Sequence, residues 1–317
     1  MTDSPLISVI ITSYNQMHYI YQTIDSALSQ DYPNIELIVT DDGSDDFLVD
    51  NVKDYIMRNN SGNITNAVVL KNEINIGTVK NLNGALAVAS GKYVMLIAGD
   101  DLYAPNCMSP SVEFMENNKS IYVAAGDYSE FHDGDNIRDI KPVNDSNLLE
   151  KLSLNSEDLF VYLCKKGFIS AISAFIFRRE FFLKEGYFDE RYRLYEDRPM
   201  VLRIARLGYR TGYLGYVVLL YRVNVGVSSS GNIQLLRDVK MLAEYEYWPN
   251  IDVLGKRFCR AMERRNNFIY DMRVSFFKMV KAKKILFCLR NFDVILFKIL
   301  PEFGVKALLS RYRKYRR

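Results

Sequence analysis

Four short apolar runs, alternating with segments of helical period, limit what this chain can fold into more than any other feature. Leu6 to Thr12, Ile35 to Thr40, Ala67 to Leu70 and Tyr93 to Ala98 are rich in β-branched residues and lack helical spacing, which predicts buried strands. Between the first two, Tyr19 to Leu28 places Ile20, Ile24, Ala27 and Leu28 on one helical face. Phe47 to Arg58 and Thr78 to Ala89 read as two further helices, the latter stopped by Gly91. Strands alternating with helices predict βαβ units and a mostly parallel sheet. In such a sheet, the loops leaving the carboxyl ends of the strands line the ligand crevice. Two aspartate pairs fall there: Asp41-Asp42 after the second strand, and Asp100-Asp101 after the fourth.

The middle of the chain is less regular. Ile121 to Phe131 and Ala171 to Arg178 are expected as strands, and Asp145 to Asn155 as loop or short helix. Pro199 suits the first turn of a helix over Met200 to Leu207, and Tyr213 to Tyr221 reads as a final strand. Val223 to Gly231 is rich in Ser and Gly near its end and marks an expected boundary between residues 1–230 and 231–317. Beyond it the texture is helical and basic, with 18 Lys/Arg against 5 Asp/Glu from Ile251 to Arg317. The preceding part carries 23 basic and 33 acidic residues, so an acidic body precedes a basic tail. Such a tail fits an anionic membrane or another acidic partner, with a solvated helical face as the plain alternative. Lys283 to Leu300 has no uninterrupted apolar run of the ~18–20 residues a spanning helix needs, so it reads as a surface-lying or core helix. Tyr312 and Tyr315 alternate with basic residues, but nothing else suggests nucleic-acid binding.

Several chemistries are set aside by composition. Only two histidines occur, His18 and His132, and neither has zinc-type spacing. Cys107, Cys164, Cys259 and Cys288 form no Cys-x-x-Cys pair, and the start lacks a basic leader pattern, so a reducing cytoplasmic setting is expected. The first strand–helix turn, Thr12 to Met17, contains no glycine, and no Gly-x-x-x-x-Gly-Lys-Ser/Thr loop is present. Both phosphate-cradling backbones are therefore ruled out. Carboxylates must carry the chemistry. Mg²⁺ or Mn²⁺ binds through one or two of them together with substrate phosphates and water, which Asp100-Asp101 could offer. An Asp-Asp pair taken alone is equally a turn or a helix cap.

The run from Ser8 to Asp46, SVIITSYNQMHYIYQTIDSALSQDYPNIELIVTDDGSDD, resembles the opening of family 2 glycosyltransferases with the A-type (GT-A) fold. The likeness continues through NIGTVKNLNGALAVASGKYVMLIAGDD and YEDRPMVLRIARLG, covering about Leu6 to Ser230. It implies a Rossmann-like GT-A catalytic domain with a helical C-terminal extension, and an inverting, metal-dependent sugar transfer from a nucleotide-sugar, a UDP-sugar above all. By position, Thr12 and Tyr14 match nucleotide contacts, and Asp42 matches the acceptor of the base N3–H, with Asp41 supporting the turn. Lys80 approaches the nucleotide. Asp100 corresponds to a ribose or sugar contact, Asp101 to the metal carboxylate and Asp197 to the catalytic base, which Arg198 would help keep ionised. Cofactor and substrate are thus Mn²⁺ or Mg²⁺ and the nucleotide-sugar.

Two departures stand out. Leu82, within Asn81 to Asn83, occupies the place of a usual arginine, and Asn224 replaces a usual histidine after Tyr221-Arg222. They keep open an alternative, a nucleotide-sugar-binding scaffold with weak or no turnover. A nucleotidyltransferase would need a glycine-rich basic loop that is missing. For Glu196-Asp197, a helix cap is the structural alternative. The resemblance implies a glycan or lipid-linked acceptor in surface-polysaccharide synthesis, which fits a cytoplasmic enzyme peripheral on the inner membrane face through its basic tail; packing of the tail on a second subunit, as a homodimer, is the open alternative. Donor selection is expected from the walls between Asp127 and Ser170.

Overall fold

A computed structural model describes residues 4–135, 151–166, 170–225 and 232–274, together with Lys283, Lys284, Phe287 and Asn291. The chain divides into two compact units, Met1–Ser230 and Gly231–Arg317.

The first unit is built on an eight-stranded sheet in the order β3-β2-β1-β4-β7-β6-β8-β5. Its strands are β1 (Ile7–Ser13), β2 (Ile35–Asp41), β3 (Ile64–Lys71), β4 (Tyr93–Ala98), β5 (Leu102–Tyr103), β6 (Val123–Phe131), β7 (Phe175–Arg178) and β8 (Thr211–Arg222). The block β3-β2-β1-β4 is parallel throughout. β7 runs antiparallel to β4 and β6, β8 lies parallel to β6, and the short β5 pairs antiparallel with the end of β8. Ile7, Val9, Ile10 and Ile11 are fully buried, as are Ile35, Leu37, Ile38 and Val39. That is the near-continuous apolar reading of strands covered on both faces.

Helices α1 (Ile20–Leu28), α2 (Val49–Asn59) and α3 (Thr78–Val88) link the parallel strands, and α4 (Met108–Asn117) follows β5. α5 (Ser156–Lys166), α6 (Arg179–Glu185) and α7 (Asp197–Arg206) complete this unit, with α5 packed on α7. The third strand is longer than the apolar run Ala67 to Leu70 because its outer residues are polar at a sheet edge. Phe47 is buried ahead of α2 rather than within it, and Ile172–Ala174 forms a 3₁₀ turn before β7. The helix expected from Met200 begins at Asp197, so Pro199 lies in its first turn. Arg178 at the end of β7 is buried and holds the end of α4, donating from Nε to the Ile121 carbonyl (2.8 Å) and from Nη2 to Met115 and Asn118 carbonyls.

The second unit contains α8 (Ile233–Leu242), a π-helical turn (Ala243–Tyr247), a 3₁₀ turn (Trp248–Asn250), the short α9 (Ile251–Leu254) and α10 (Lys256–Val274). Asn232 caps α8 through its side chain, which accepts from the Gln234 N–H at 2.8 Å. Among the described residues, no helix is long and apolar enough to cross a membrane. The stretch Lys283 to Leu300, apart from four positions, lies outside the described residues, as does most of Asp145 to Asn155.

Candidate active site

Strand register brings the candidate residues to one edge. Ser13 pairs with Asp41, while Thr12 pairs with both Thr40 and Ala98, so β1, β2 and β4 all end at the same level. Asp41-Asp42 and Asp100-Asp101 leave from there, and all four carboxylates are buried.

The two aspartates of the first pair have different surroundings. Asp41 is spent on its own turn: Oδ1 accepts from the Ser44 N–H and Oδ2 from the Ser44 hydroxyl, each at 2.7 Å. The same Ser44 Oγ accepts from the Asn15 N–H at 2.7 Å, which ties the loop after β2 to the loop after β1. Asn15 adopts φ +54°, a left-handed position that asparagine tolerates better than most side chains. Asp42 faces the loop before α3. Its Oδ1 accepts from the Asn72 amide (3.0 Å) and the Ile76 N–H (2.9 Å), and Oδ2 accepts from the Gly77 N–H (2.8 Å). A carboxylate offers about four acceptor positions, so Oδ2 retains one for a ligand. Tyr14 is 44% exposed at this edge, Thr12 is half-buried, and Lys80 is exposed in the first turn of α3.

At the second pair, burial pushes both carboxyl groups up. The Gln16 side chain and the Arg222 charge hold Asp100 partly down. Asp101 is raised well above the ordinary carboxylate range, first by burial and then by the neighbouring Asp100 charge. The Asp197 charge, almost a hundred residues away in sequence, makes a smaller contribution to that rise. Opposing these, the Arg222 N–H donates to Asp101 Oδ1 at 2.8 Å.

Asp197 opens α7, and its carboxyl is raised by burial to about 6, with a hydrogen bond to the Glu196 side chain pulling the other way. No side-chain capping bond occurs at this helix start, although Asp197 stands in its first turn, where a carboxylate favours the helix dipole. Arg198 does not serve Asp197 as expected from its adjacency. Its Nη2 donates to the Leu163 and Cys164 carbonyls at 3.0 and 3.2 Å, because α5 packs on that side of α7.

Sequence reasoning overlooked the residues that join the two halves of this edge. Asn81 accepts from Thr40 Oγ1 (2.7 Å) and from the Asn72 amide (3.0 Å). Asn83 donates to the Phe188 carbonyl (2.9 Å) and Glu190 (3.1 Å) and accepts from the Phe188 N–H (3.0 Å). Gly77, at φ +100°, packs on Arg193 so closely that a Cβ would lie 2.5 Å from its Cγ. The Val79 N–H donates to the Arg193 carbonyl at 3.2 Å. Buried asparagines inside a helix are the signal that could have found these contacts, because each must hydrogen-bond somewhere. Leu82, in place of a usual arginine, is buried, and Asn224 is exposed at φ +68°.

The donor set at Asp100-Asp101 suits a hard divalent cation. Burial and mutual repulsion disfavour ionisation of both groups, and a cation would reverse that. Among the described residues, no group of three His, Cys, Asp or Glu side chains could hold a metal alone. A cation here would complete its shell with phosphate and water oxygens.

Comparison with known proteins bears on the family and the fold. The glycosyl transferase family 2 profile matches residues 8–185. A UDP-Glc:alpha-D-GlcNAc-diphosphoundecaprenol beta-1,3-glucosyltransferase of Escherichia coli, WfaP, is 34% identical over 128 residues, which is 39% of this chain and 47% of that protein. An uncharacterized glycosyltransferase of Haemophilus influenzae is 33% identical over 130 residues, 41% of this chain and 38% of that one. The match thus spans less than half the length of these two relatives. An uncharacterized glycosyltransferase of Methanocaldococcus jannaschii aligns over 97% of this chain and 94% of its own, at 24% identity. Among solved structures, S. aureus TarS 1-349 in complex with UDP-GlcNAc superposes with a TM-score of 0.58 at 20% identity, over 88% of this chain and 77% of that chain. The mannosyltransferase PcManGT of Pyrobaculum calidifontis, in complex with GDP-Man and Mn2+, gives 0.57 at 17% identity, over 99% and 83%. At these identities the two structures bear on the fold, and both share it. With a profile match over more than half of its residues, this chain belongs to glycosyl transferase family 2 and has the GT-A fold.

Proposed function

We propose that this protein is a metal-dependent, inverting glycosyltransferase that takes sugar from a UDP-sugar. The acceptor in this reading is a hydroxyl of a glycan or lipid-linked saccharide in cell-surface polysaccharide synthesis. The observation that supports the reading is that two buried aspartate pairs, Asp41-Asp42 and Asp100-Asp101, leave the ends of β2 and β4 at one level, with the Asp197 charge acting on Asp101. The name of the E. coli relative, with its UDP-Glc donor and diphosphoundecaprenol acceptor, supports the donor and acceptor classes.

In this mechanism Tyr14 lays its exposed ring against the base, Thr12 contacts the nucleotide, and Asp42 accepts the base N3–H on its remaining position. Asp100 orients the ribose or sugar, and Lys80 attracts the diphosphate. Asp101 would hold Mn²⁺ or Mg²⁺, which when bound supplies positive charge for the departing nucleoside diphosphate. Asp197, ionised, takes the proton of the acceptor hydroxyl as that oxygen attacks the anomeric carbon from the face opposite the leaving group. One displacement inverts the anomeric centre, with no covalent sugar–enzyme intermediate.

Titration calorimetry with a panel of UDP-sugars and Mn²⁺, run beside a turnover assay, tests the reading. Binding with turnover on a lipid-linked acceptor is the expected result. Binding without turnover on any acceptor would favour the scaffold alternative that Leu82 and Asn224 keep in view.

The membrane reading rests on α10. Lys256, Arg257, Arg260, Arg264 and Arg273 are all exposed along it, and among the described residues no carboxylate pairs with Lys256, Arg257 or Arg260. Spacings of three and four put the first four on one side of the helix. Removing residues 232–317 is expected to abolish sedimentation with anionic liposomes and leave UDP binding intact. Equal sedimentation of both forms at low salt would refute a membrane role. A mass measurement of the two forms tests the homodimer alternative.

A further inference from the structure

Arg222 ends β8 with its side chain 2% exposed, although arginine is among the residues least often fully buried. Its guanidinium carbon lies 4.5 Å from the ring centroids of both Tyr19 and Phe131. Each of its three nitrogens has a partner. Nε donates to the Asp100 carbonyl (2.7 Å), Nη2 donates to Gln22 Oε1 (2.8 Å), and Nη1 pairs with Asp133. One cation therefore joins the start of α1, the turn after β6 and the Asp100–Asp101 turn. A cavity of about 300 Å³, bordered by His18, Gln22, Phe131, His132, Asp133 and Arg222, lies on the same side and includes none of the seven candidate site residues.

The backbone of Arg222 acts on the site as well. Its N–H donates to Asp101 Oδ1, so the residue that anchors the Asp100 carbonyl also fixes the orientation of the Asp101 carboxylate. Packing alone does not call for such a residue, because an apolar side chain of similar volume avoids the cost of desolvating a charge. What an apolar chain cannot do is hold a carbonyl, an amide and a carboxylate in one plane. Lysine cannot do so either, having a single point charge in place of the fork.

We propose that Arg222 is a positioning residue for the donor site: its stacked and forked side chain sets the Asp100–Asp101 turn so that the Asp101 carboxylate meets the cation and diphosphate. The inference rests on the donor-site reading given above. Asp133, 58% exposed on the turn after β6, is its outer anchor. The order of that turn is thereby transmitted to a carboxylate it does not touch.

The test uses the full chain with Arg222→Lys, Asp133→Asn and Gln22→Ala, and with Asp101→Asn as a reference. UDP and Mn²⁺ binding is measured by calorimetry, donor kcat and KM by turnover, and folding by thermal melting. Arg222→Lys is expected to weaken UDP–Mn²⁺ binding about 10- to 100-fold, the range typical of groups that orient metal ligands. Asp133→Asn should weaken it severalfold, and the Arg222→Lys/Asp133→Asn pair should lose less than the product of the two. If Arg222→Lys does not fold, weakened UDP–Mn²⁺ binding in both Asp133→Asn and Gln22→Ala, each melting near the parent, supports the proposal, and parental binding in both overturns it. A folded Arg222→Lys with parental affinity and KM overturns the proposal while Asp101→Asn still loses binding. Parental UDP–Mn²⁺ binding by Asp101→Asn instead removes the donor-site reading, and this proposal with it.

Discussion

Asp197→Asn is expected to lower kcat by about 10²- to 10⁴-fold, the usual contribution of a positioned base, while UDP binding stays at the parental level. The asparagine keeps the shape of the side chain and removes only its capacity to take a proton. Full transfer by this variant on any donor would take Asp197 out of the base role. In the parent, the carboxyl loses its proton at about pH 6, so transfer should rise through that pH and fall away below it. The same displacement makes the residue a burden on folding. Its folded value lies above the ordinary one of 3.8, so its contribution favours the fold at low pH and is lost as pH rises past about 6. Asp197→Asn should therefore melt higher than the parent at pH 7.5, by roughly 2–4 °C for each 1 kcal/mol recovered in a domain of this size. A variant that is inactive yet more stable would separate chemistry from structure in one measurement.

Asp101→Asn is expected to cost about 10²- to 10³-fold in transfer, as removal of one electrostatic stabiliser commonly does, and to weaken UDP binding in the presence of Mn²⁺. Chelation of the parent with EDTA should bring the two proteins to the same low rate, and adding Mn²⁺ back should rescue only the parent. An Asp101→Asn protein that responds to Mn²⁺ as the parent does would show that the cation is held elsewhere. Asp100→Asn is expected to show a milder defect, since Gln16 already engages that side chain.

The parallel half of the fold was legible because the strands are buried on both faces and therefore read as apolar runs from Ile7 and from Ile35, interrupted only by Ser8 and Glu36. α4, α5 and α6 were not, because their sequences mix periods. Met108 to Asn117 buries Met108, Ser111, Val112 and Met115 but interposes a proline, and Arg179–Glu185 spans barely two turns. The turn-supporting role that the resemblance implies for Asp41 matches its two bonds to Ser44. Adjacency misled at Arg198, because a residue one step from Asp197 on a helix points about 100° away, and a carbonyl pair on α5 was the nearer partner. Arg222 was visible only as part of a motif. That its guanidinium would meet two rings depends on the start of α1 and the end of β6 both reaching it, which no local pattern encodes.

The contacts of Asn83 and Gly77 with residues 188–193 bear on how such enzymes can be re-engineered. A graft that imports another relative's stretch from residue 188 through Asp197 would arrive without its moorings on Gly77 and Asn83. Chimeras should thus be cut to carry both strips together, since these strips are joined in space but lie about a hundred residues apart in the chain.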